Sequence, residues 1–462
     1  MIKAFYYSFI LLVLIAGKFV SAQVYGTGLL LDDTSFVNCP SAPVLITRDL
    51  LNLPDKFSLK QYAPTPGSQG IYSTCCGWAL AYAARTIIAA IQNNWDRAEI
   101  DSNEFSPSYI YNQIRSREDC NSGTSIIEGL KVLENNGVLT LKEFPYSCEA
   151  KIREDQLPDA SVNKIKEYRT ILFRDIKNKV IIVKKSLSER NPVIAAINSP
   201  PSFQTAGEVW EPDRVEYSKT YSGHALVVIG YDDAKAGGAF EVINSWGTDW
   251  GNGGFTWIKY SDFEHFCVWA GEEIPEKNIK ENEYKLSGSL LFKLINDSVM
   301  SAKRSENYFR MSKEYISGTQ FRLMLANNEP AYVYALGSDT TSKCNVIFPY
   351  DKKINAYLPY KQNNVCLPSE NYAYELDKTT GKTYFCFIYS PLKLEIDSVA
   401  SCIENAEGDF KERVYKAIQG KIIPPQGIKY NEDENGVINF NAVSNGRQLV
   451  LLIFEIPHIG KT

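Results

Sequence analysis

The sequence predicts an α+β domain of two segregated layers, followed by a second unit built mainly of strands. Three observations carry this. The run CGWALAYAARTIIAAIQNNW, from Cys76 to Trp95, has no glycine or proline after Gly77 and reads as a buried helix. Beyond Pro192 the texture changes to PVIAAINS, HALVVIGYDD, AFEVINSW and GFTWIKYSD, short runs of Val, Ile and aromatics split by Gly, Asn and Asp, as in strands and turns. A charged stretch, GEEIPEKNIKENEYK, then precedes another set of strand-like runs.

The elements follow in chain order. MIKAFYYSFILLVLIAGKFVSAQ combines Lys3, an apolar run and the small residues Ser21 and Ala22, so residues 1–22 read as a secretory signal peptide cut after Ala22. The run is shorter than the ~20 residues a bilayer span needs, so the expected location is secreted or periplasmic, with no membrane span. Helices are expected over Pro107 to Arg117 and Ser125 to Asn135, where Ile126, Ile127, Leu130 and Leu133 recur at helical spacing and Gly137 acts as a stop. Helices first and strands second describe two layers with a cleft between them. We therefore expect one domain over residues 23–272, a linker over 273–286 and a β-rich domain over 287–462. The last contains GSLLFKLI, TQFRLMLA, PAYVYALG, CNVIFPY, KTYFCFIYS and LVLLIFEI, interrupted by a helix near Asp409 to Ile418, and reads as a β-sandwich or small barrel.

Charge excludes one class of partner. The net charge is −5 and no basic stripe interleaves with aromatics, which argues against nucleic acid. Ten cysteines in an exported chain suggest disulfides but are too sparse for a cysteine-stapled miniature fold. The adjacent Cys75 and Cys76 strain against bonding each other, so if both are free the other eight form up to four bridges. Adjacent cysteines also fit tetrahedral zinc poorly, and neither a metal nor a cofactor is implied.

The stretch QGIYSTCCGW places those two thiols at the start of the buried helix. A thiol attacks a carbonyl as its thiolate, which needs a nearby base and gains from a helix N-terminus. Of three histidines, only His224 enters a buried strand, directly after Gly223. A histidine base needs an acceptor on its far nitrogen, and Asn244 opens NSWGTDWG, where Trp246 can shield that bond from water.

Taken in order, Gln69-Gly70, a cysteine six residues after the glutamine, an alanine-rich helix, Gly-His-Ala and Asn-Ser-Trp-Gly-x-x-Trp-Gly resemble the papain-like cysteine peptidases over roughly Leu53 to Ala270. TCCGWA is similar to runs in bacterial members. The resemblance implies that Cys75 is the nucleophile, His224 the base and Asn244 its orienter. It also implies that Gln69 and the Cys75 backbone N–H form the oxyanion hole, and that protein or peptide substrates run past Gly123 and Trp246. It further implies a Cys120–Cys148 disulfide, from CNSGT and FPYSC. An amidase or transpeptidase on this scaffold, or an inactive binding protein, remains an alternative. Two departures stand out. Tyr72 replaces the cysteine expected three residues before the nucleophile, and only about 30 residues lie between Ala22 and Leu53, too few for the helical inhibitory domain of the lysosomal members. The C-terminal unit, over roughly Ser287 to Leu392, is similar to an accessory β-domain of unknown function attached to bacterial peptidases, and an unknown protein or surface ligand is its expected partner.

Overall fold

The computed structural model describes residues 24–45, 52–174, 176–276, 284–361, 363–433, 435–445 and 448–461, so the expected signal peptide lies outside the described residues. A short helix α1 (Asp33–Asn38) leads to the central helix α2 (Cys75–Asn93). The middle of α2, Trp78–Arg85, is wound in the wider π pattern, and the helix ends where Asn94 takes the left-handed conformation, φ 52°. Its length and apolarity would suit a bilayer, but 89% of its most apolar window is buried inside the domain, which makes it a core helix. Against it pack α3 (Pro107–Ile114) and α4 (Ile126–Asn135). Ser106 caps α3 ahead of Pro107, and the hydroxyl of Ser125 caps α4 by accepting from the Glu128 N–H.

The second layer is a sheet of β1 (Lys56–Ser58), β2 (Ile165–Phe173), β3 (Val193–Asn198), β4 (Val209–Trp210), β5 (Gly223–Asp232), β6 (Ala239–Ile243), β7 (Phe255–Lys259) and β8 (Cys267–Pro275). Its order is β2-β8-β3-β5-β6-β7-β4, with β1 added on β5. Central β5 is buried from Gly223 to Tyr231, which is why its apolar run is continuous rather than alternating. The expected helical and strand layers thus form, with their cores merged between α2 and β5.

The linker expected over 273–286 is narrower than that. Residues 273–275 complete β8 and the strand Tyr284–Leu294 opens the next domain, while 277–283 lie outside the described residues. Two of the acids that suggested a linker, Glu272 and Glu273, are buried in β8. Glu272 accepts from Arg169 Nε at 3.0 Å, and fully buried Glu273 lies beside Arg85 of α2.

The C-terminal domain stacks two sheets on a common core. One is centred on Ala331–Ser338, Gly381–Ser390 and Val450–Ile459, the other on Tyr284–Leu294, Gln320–Asn327 and Ile438–Ser444. Phe292 of the second meets Phe385, Phe387 and Phe454 of the first edge-on or tilted. The expected helix is Phe410–Ala417, capped by Asp409, and a second, Ile396–Asn405, joins it over the first sheet's outer face. The two domains meet through polar groups. Glu167 of β2 accepts from Tyr332 Oη and Asn355 Nδ2, each at 2.6 Å, and Asn191 Nδ2 donates to Tyr360 Oη at 2.8 Å.

Of the bridges expected, the Cys120–Cys148 disulfide forms. The others do not: Cys39, Cys267, Cys344, Cys366 and Cys386 are buried thiols and Cys402 is exposed. Cys344 and Cys386 flank opposite edges of the strand Ala331–Ser338, about two strand spacings or ~10 Å apart, beyond the reach of a disulfide.

Burial pushes the Glu273 carboxyl up to about 8, with Arg85 pulling only partly the other way. The folded chain therefore keeps this proton to about 8 while an unfolded carboxyl releases it near 4.5. Stability present below the lower value is lost as pH rises through the upper one. Urea unfolding of Glu273→Gln should show a shallower stability loss between those pH values than the wild-type chain; equal slopes would contradict this assignment.

Candidate functional site

The site forms where the N-terminus of α2 meets the start of β5. Cys75 opens α2, so its thiol sits over the first free N–H groups of a 19-residue helix. Across the layer boundary, His224 follows Gly223 at the head of β5, paired with Ile197 of β3. His224 Nε2 and Asn244 Oδ1 are 2.7 Å apart, and Asn244 Oδ1 also accepts from the Ser245 N–H at 2.8 Å. Trp246 stacks on the imidazole, with 4.6 Å between ring centroids, and closes the His224–Asn244 bond from that side. The other ring nitrogen, Nδ1, has no nitrogen or oxygen partner among the described residues and is left for the thiol.

The two adjacent thiols diverge in acidity. Burial raises the Cys75 thiol, but hydrogen bonds with Cys76 and His224, the charge on His224 and the Ala225 N–H together outweigh it, leaving Cys75 well below its ordinary value of 9.0. Cys76 goes the other way, raised by burial and by its bond to, and the charge on, Cys75; its Sγ donates to the Thr124 carbonyl at 3.4 Å. Elsewhere burial pushes Cys39 and Cys344 up to about 11 and Cys267 up to about 12, so these thiols stay protonated at neutral pH.

Gln69 is placed by a seam between the layers. Its N–H donates to the Ser245 carbonyl at 2.8 Å, the Gly247 N–H donates to the Gly67 carbonyl at 2.9 Å, and Ser68 pairs with Trp246. The Gln69 Oε1 accepts from Ser245 Oγ at 2.6 Å, which turns Nε2 towards the loop ahead of Cys75. There Nε2 donates to the carbonyls of Tyr72 at 2.6 Å and Gly26 at 3.1 Å. The absent disulfide cysteine at Tyr72 is thus replaced by the Gln69 amide and by a bond from the Ser73 N–H to the Cys120 carbonyl at 2.7 Å.

Three contributors were not singled out from sequence. Ser245 orients Gln69. Tyr146 Oη lies 2.8 Å from Thr74 Oγ1 and donates to the Gln69 carbonyl at 3.1 Å, joining the residue before Cys75 to the seam. Residues 25–31 cross the site, and their signal was the pair of glycines in YGTGLLL, which permits close backbone approach. Gly123 lies under Leu30, and Trp246 Nε1 donates to the Gly26 carbonyl at 2.9 Å.

Residues 68–273 match the family described as papain family cysteine protease. This domain belongs to the papain family. Residues 314–393 match a separate domain of unknown function, DUF4384. The papain family domain is 24% identical over 216 residues to a cysteine protease of Blomia tropicalis, covering 45% of this chain and 62% of that protein. It is 28% identical over 224 residues to an uncharacterized peptidase C1-like protein of Acanthamoeba polyphaga mimivirus, covering 44% and 68%. The chain thus spans less than two thirds of the first of these relatives. Among solved structures, xylellain, a cysteine protease from Xylella fastidiosa, is similar with a TM-score of 0.45 and 22% identity, over 55% of this chain and 97% of that one.

Tyr146→Phe should lower stability by about 1–2 kcal/mol through loss of the hydroxyl that joins Thr74 to Gln69. Chemical denaturation measures this, and an unchanged midpoint would show that the hydroxyl contributes nothing.

Proposed function

We propose that the chain is an exported thiol peptidase acting on proteins or peptides, with Cys75 as nucleophile, His224 as base and Asn244 as its orienter. One observation carries the reading: of two neighbouring buried thiols, only the one beside a histidine with an oriented ring is made more acidic, favouring its thiolate. That difference also argues against an inert binding domain, whose thiol would have no reason to be acidified.

The chemistry follows from the geometry. His224 Nδ1 takes the Cys75 proton while Asn244 Oδ1 holds the Nε2–H, so the ring stays in register as it becomes charged. The thiolate attacks the substrate carbonyl carbon, and the oxygen gathers the displaced electron pair. Gln69 Nε2 and the Cys75 N–H stabilise that oxyanion. The intermediate collapses by expelling the amine, which takes its proton from His224, and leaves a thioester on Cys75. Water, deprotonated by His224, then hydrolyses the thioester and restores the thiol. Gly123 and Trp246 flank the bound chain on opposite sides of Cys75. Export through a signal peptide cut after Ala22 fits the Cys120–Cys148 disulfide, which persists in oxidising compartments. In this reading the C-terminal domain contacts a protein or surface ligand.

Cys75→Ala should abolish turnover of a fluorogenic peptide and covalent capture by an epoxide probe, while Cys76→Ala keeps both within a few-fold. Asn244→Ala should lower kcat by at least about tenfold through loss of ring orientation. The acid limb of kcat/KM should fall well below 9, since the depressed thiol stays ionised as pH drops towards neutrality. Equal loss in the Cys75 and Cys76 variants would overturn the assignment.

A further inference from the structure

A cavity of about 400 Å³ opens where the papain family domain and the C-terminal domain meet, away from the catalytic cleft. Its wall on the papain family side comes from β2, β8 and the helix Lys179–Ser188. In the sheet β2 stands three strands from β5, so the cavity is roughly 14 Å or more from the strand that carries His224.

The walls are aliphatic. Ile171 and Ile182 line the cavity from the first domain, Leu358 from the second, and Leu45 from the segment that runs between them. Leu45 is held there by pairing with Val365, two residues beyond Asn363 on the edge strand Asn363–Leu367.

The polar groups gather around Tyr360. Arg169 and Glu272, both buried, pair at 3.0 Å, so the floor carries no net charge. An arginine has five N–H donors. Glu272 takes the one on Nε and the Tyr357 carbonyl takes one on Nη1 at 3.4 Å, so the guanidinium keeps donors to offer. Its centre lies 5.5 Å from the centroid of the Tyr360 ring.

On the other side of Tyr360, Asn363 supplies an acceptor. Its Nδ2 donates to the Tyr360 carbonyl at 3.1 Å, while its Oδ1 has no partner among the described residues, although Asn363 is only 2% exposed. Flipping the amide gives no relief, because the oxygen would then oppose the Tyr360 carbonyl. A buried amide oxygen without a donor is costly. Water satisfies that oxygen but gains nothing from the aliphatic walls.

We propose that this cavity binds a short peptide of about two or three residues bearing aliphatic side chains, a size in keeping with small-ligand sites. A carbonyl or carboxylate of the peptide accepts from Arg169, an N–H donates to Asn363 Oδ1, and an aliphatic side chain lies against Ile171, Ile182 and Leu358. A peptide carries these three kinds of group on neighbouring atoms. The significance of the site rests on the peptidase reading, since peptides of this size are what such an enzyme releases, whereas the binding chemistry stands without it. Because both domains contribute walls, a bound peptide joins them and stabilises the folded chain.

The test titrates leucyl-leucine into the full chain carrying Cys75→Ala, which leaves the peptide uncut, and follows binding by calorimetry and thermal denaturation. Saturable one-to-one binding with a raised thermal midpoint is expected. Glycyl-glycine, which lacks the aliphatic side chains, should bind at least about tenfold more weakly. Ile182→Trp, which fills the cavity from the helix, and Asn363→Leu, which removes the acceptor, should each weaken leucyl-leucine by about tenfold or more. Absence of saturable binding overturns the site, and equal affinity for glycyl-glycine overturns the aliphatic class. Unchanged affinity in Ile182→Trp places the peptide elsewhere, the catalytic cleft included, and overturns the site. Unchanged affinity in Asn363→Leu alone overturns the part given to Oδ1. Should Asn363→Leu lower the midpoint of the peptide-free chain, Asn363→Ser, polar but too short to reach the peptide, reads the same contact by the same criterion. Turnover of a fluorogenic peptide is measured separately on the chain with Cys75 intact. Leucyl-leucine binding without turnover keeps the site and overturns the peptidase reading, and turnover without leucyl-leucine binding does the reverse.

Discussion

Everything at the site depends on the seam where residues 67–69 run against 245–247. Cys75 belongs to the helical layer and His224 and Asn244 to the sheet, so no single element sets their distance. Two backbone hydrogen bonds, from Gln69 to Ser245 and from Gly247 to Gly67, fix one layer against the other at the point where the chemistry needs it. The Ser245 hydroxyl then uses the same seam to orient the Gln69 amide, and the Tyr146 hydroxyl carries the restraint to Thr74. Backbone pairing is rigid and leaves little rotamer freedom to lose, which suits a site whose parts come from separate layers.

The candidate site was largely legible in the sequence because its signals are local. Gln69, Cys75, His224 and Asn244 each sit in a short motif whose neighbours dictate backbone shape: a glycine after the glutamine, a helix start at the thiol, a strand start at His224, a glycine-rich turn after Asn244. The helical and strand layers were legible for the same reason, since α2 and β5 are apolar along their length. What escaped were interactions set by pairing at long range. Ser245 and Tyr146 look like ordinary turn residues until the seam brings them to Gln69. The crossing of residues 25–31 over the site depends on where a glycine-rich strand goes, and that is not written in its own residues.

Charge misled in a similar way at the domain junction. The run from Gly271 onward is acidic enough to read as solvated linker, yet Glu272 and Glu273 lie in β8 with their side chains inside the protein. A buried charge is tolerated where a partner is built for it, as Arg169, from an element far away in sequence, is for Glu272, whereas burial leaves Glu273 beside Arg85 holding its proton. The junction is polar on the other side as well, where Tyr332 and Asn355 satisfy both oxygens of Glu167. Such contacts need specific geometry, so the two domains have a defined mutual orientation rather than a greasy one. The helix Ile396–Asn405 was missed for a plainer reason: its buried face is narrow, with only Ala400 and Ile403 fully enclosed.

The acidified thiol of Cys75 sits under complete cover. Its reactivity is therefore set by neighbours that are already in place, independent of any incoming molecule. Nothing about the sulfur has to be prepared later. What stands between the sulfur and solvent is a strand of seven residues, 25–31, held by backbone hydrogen bonds to Gly70, Gly223 and Thr124.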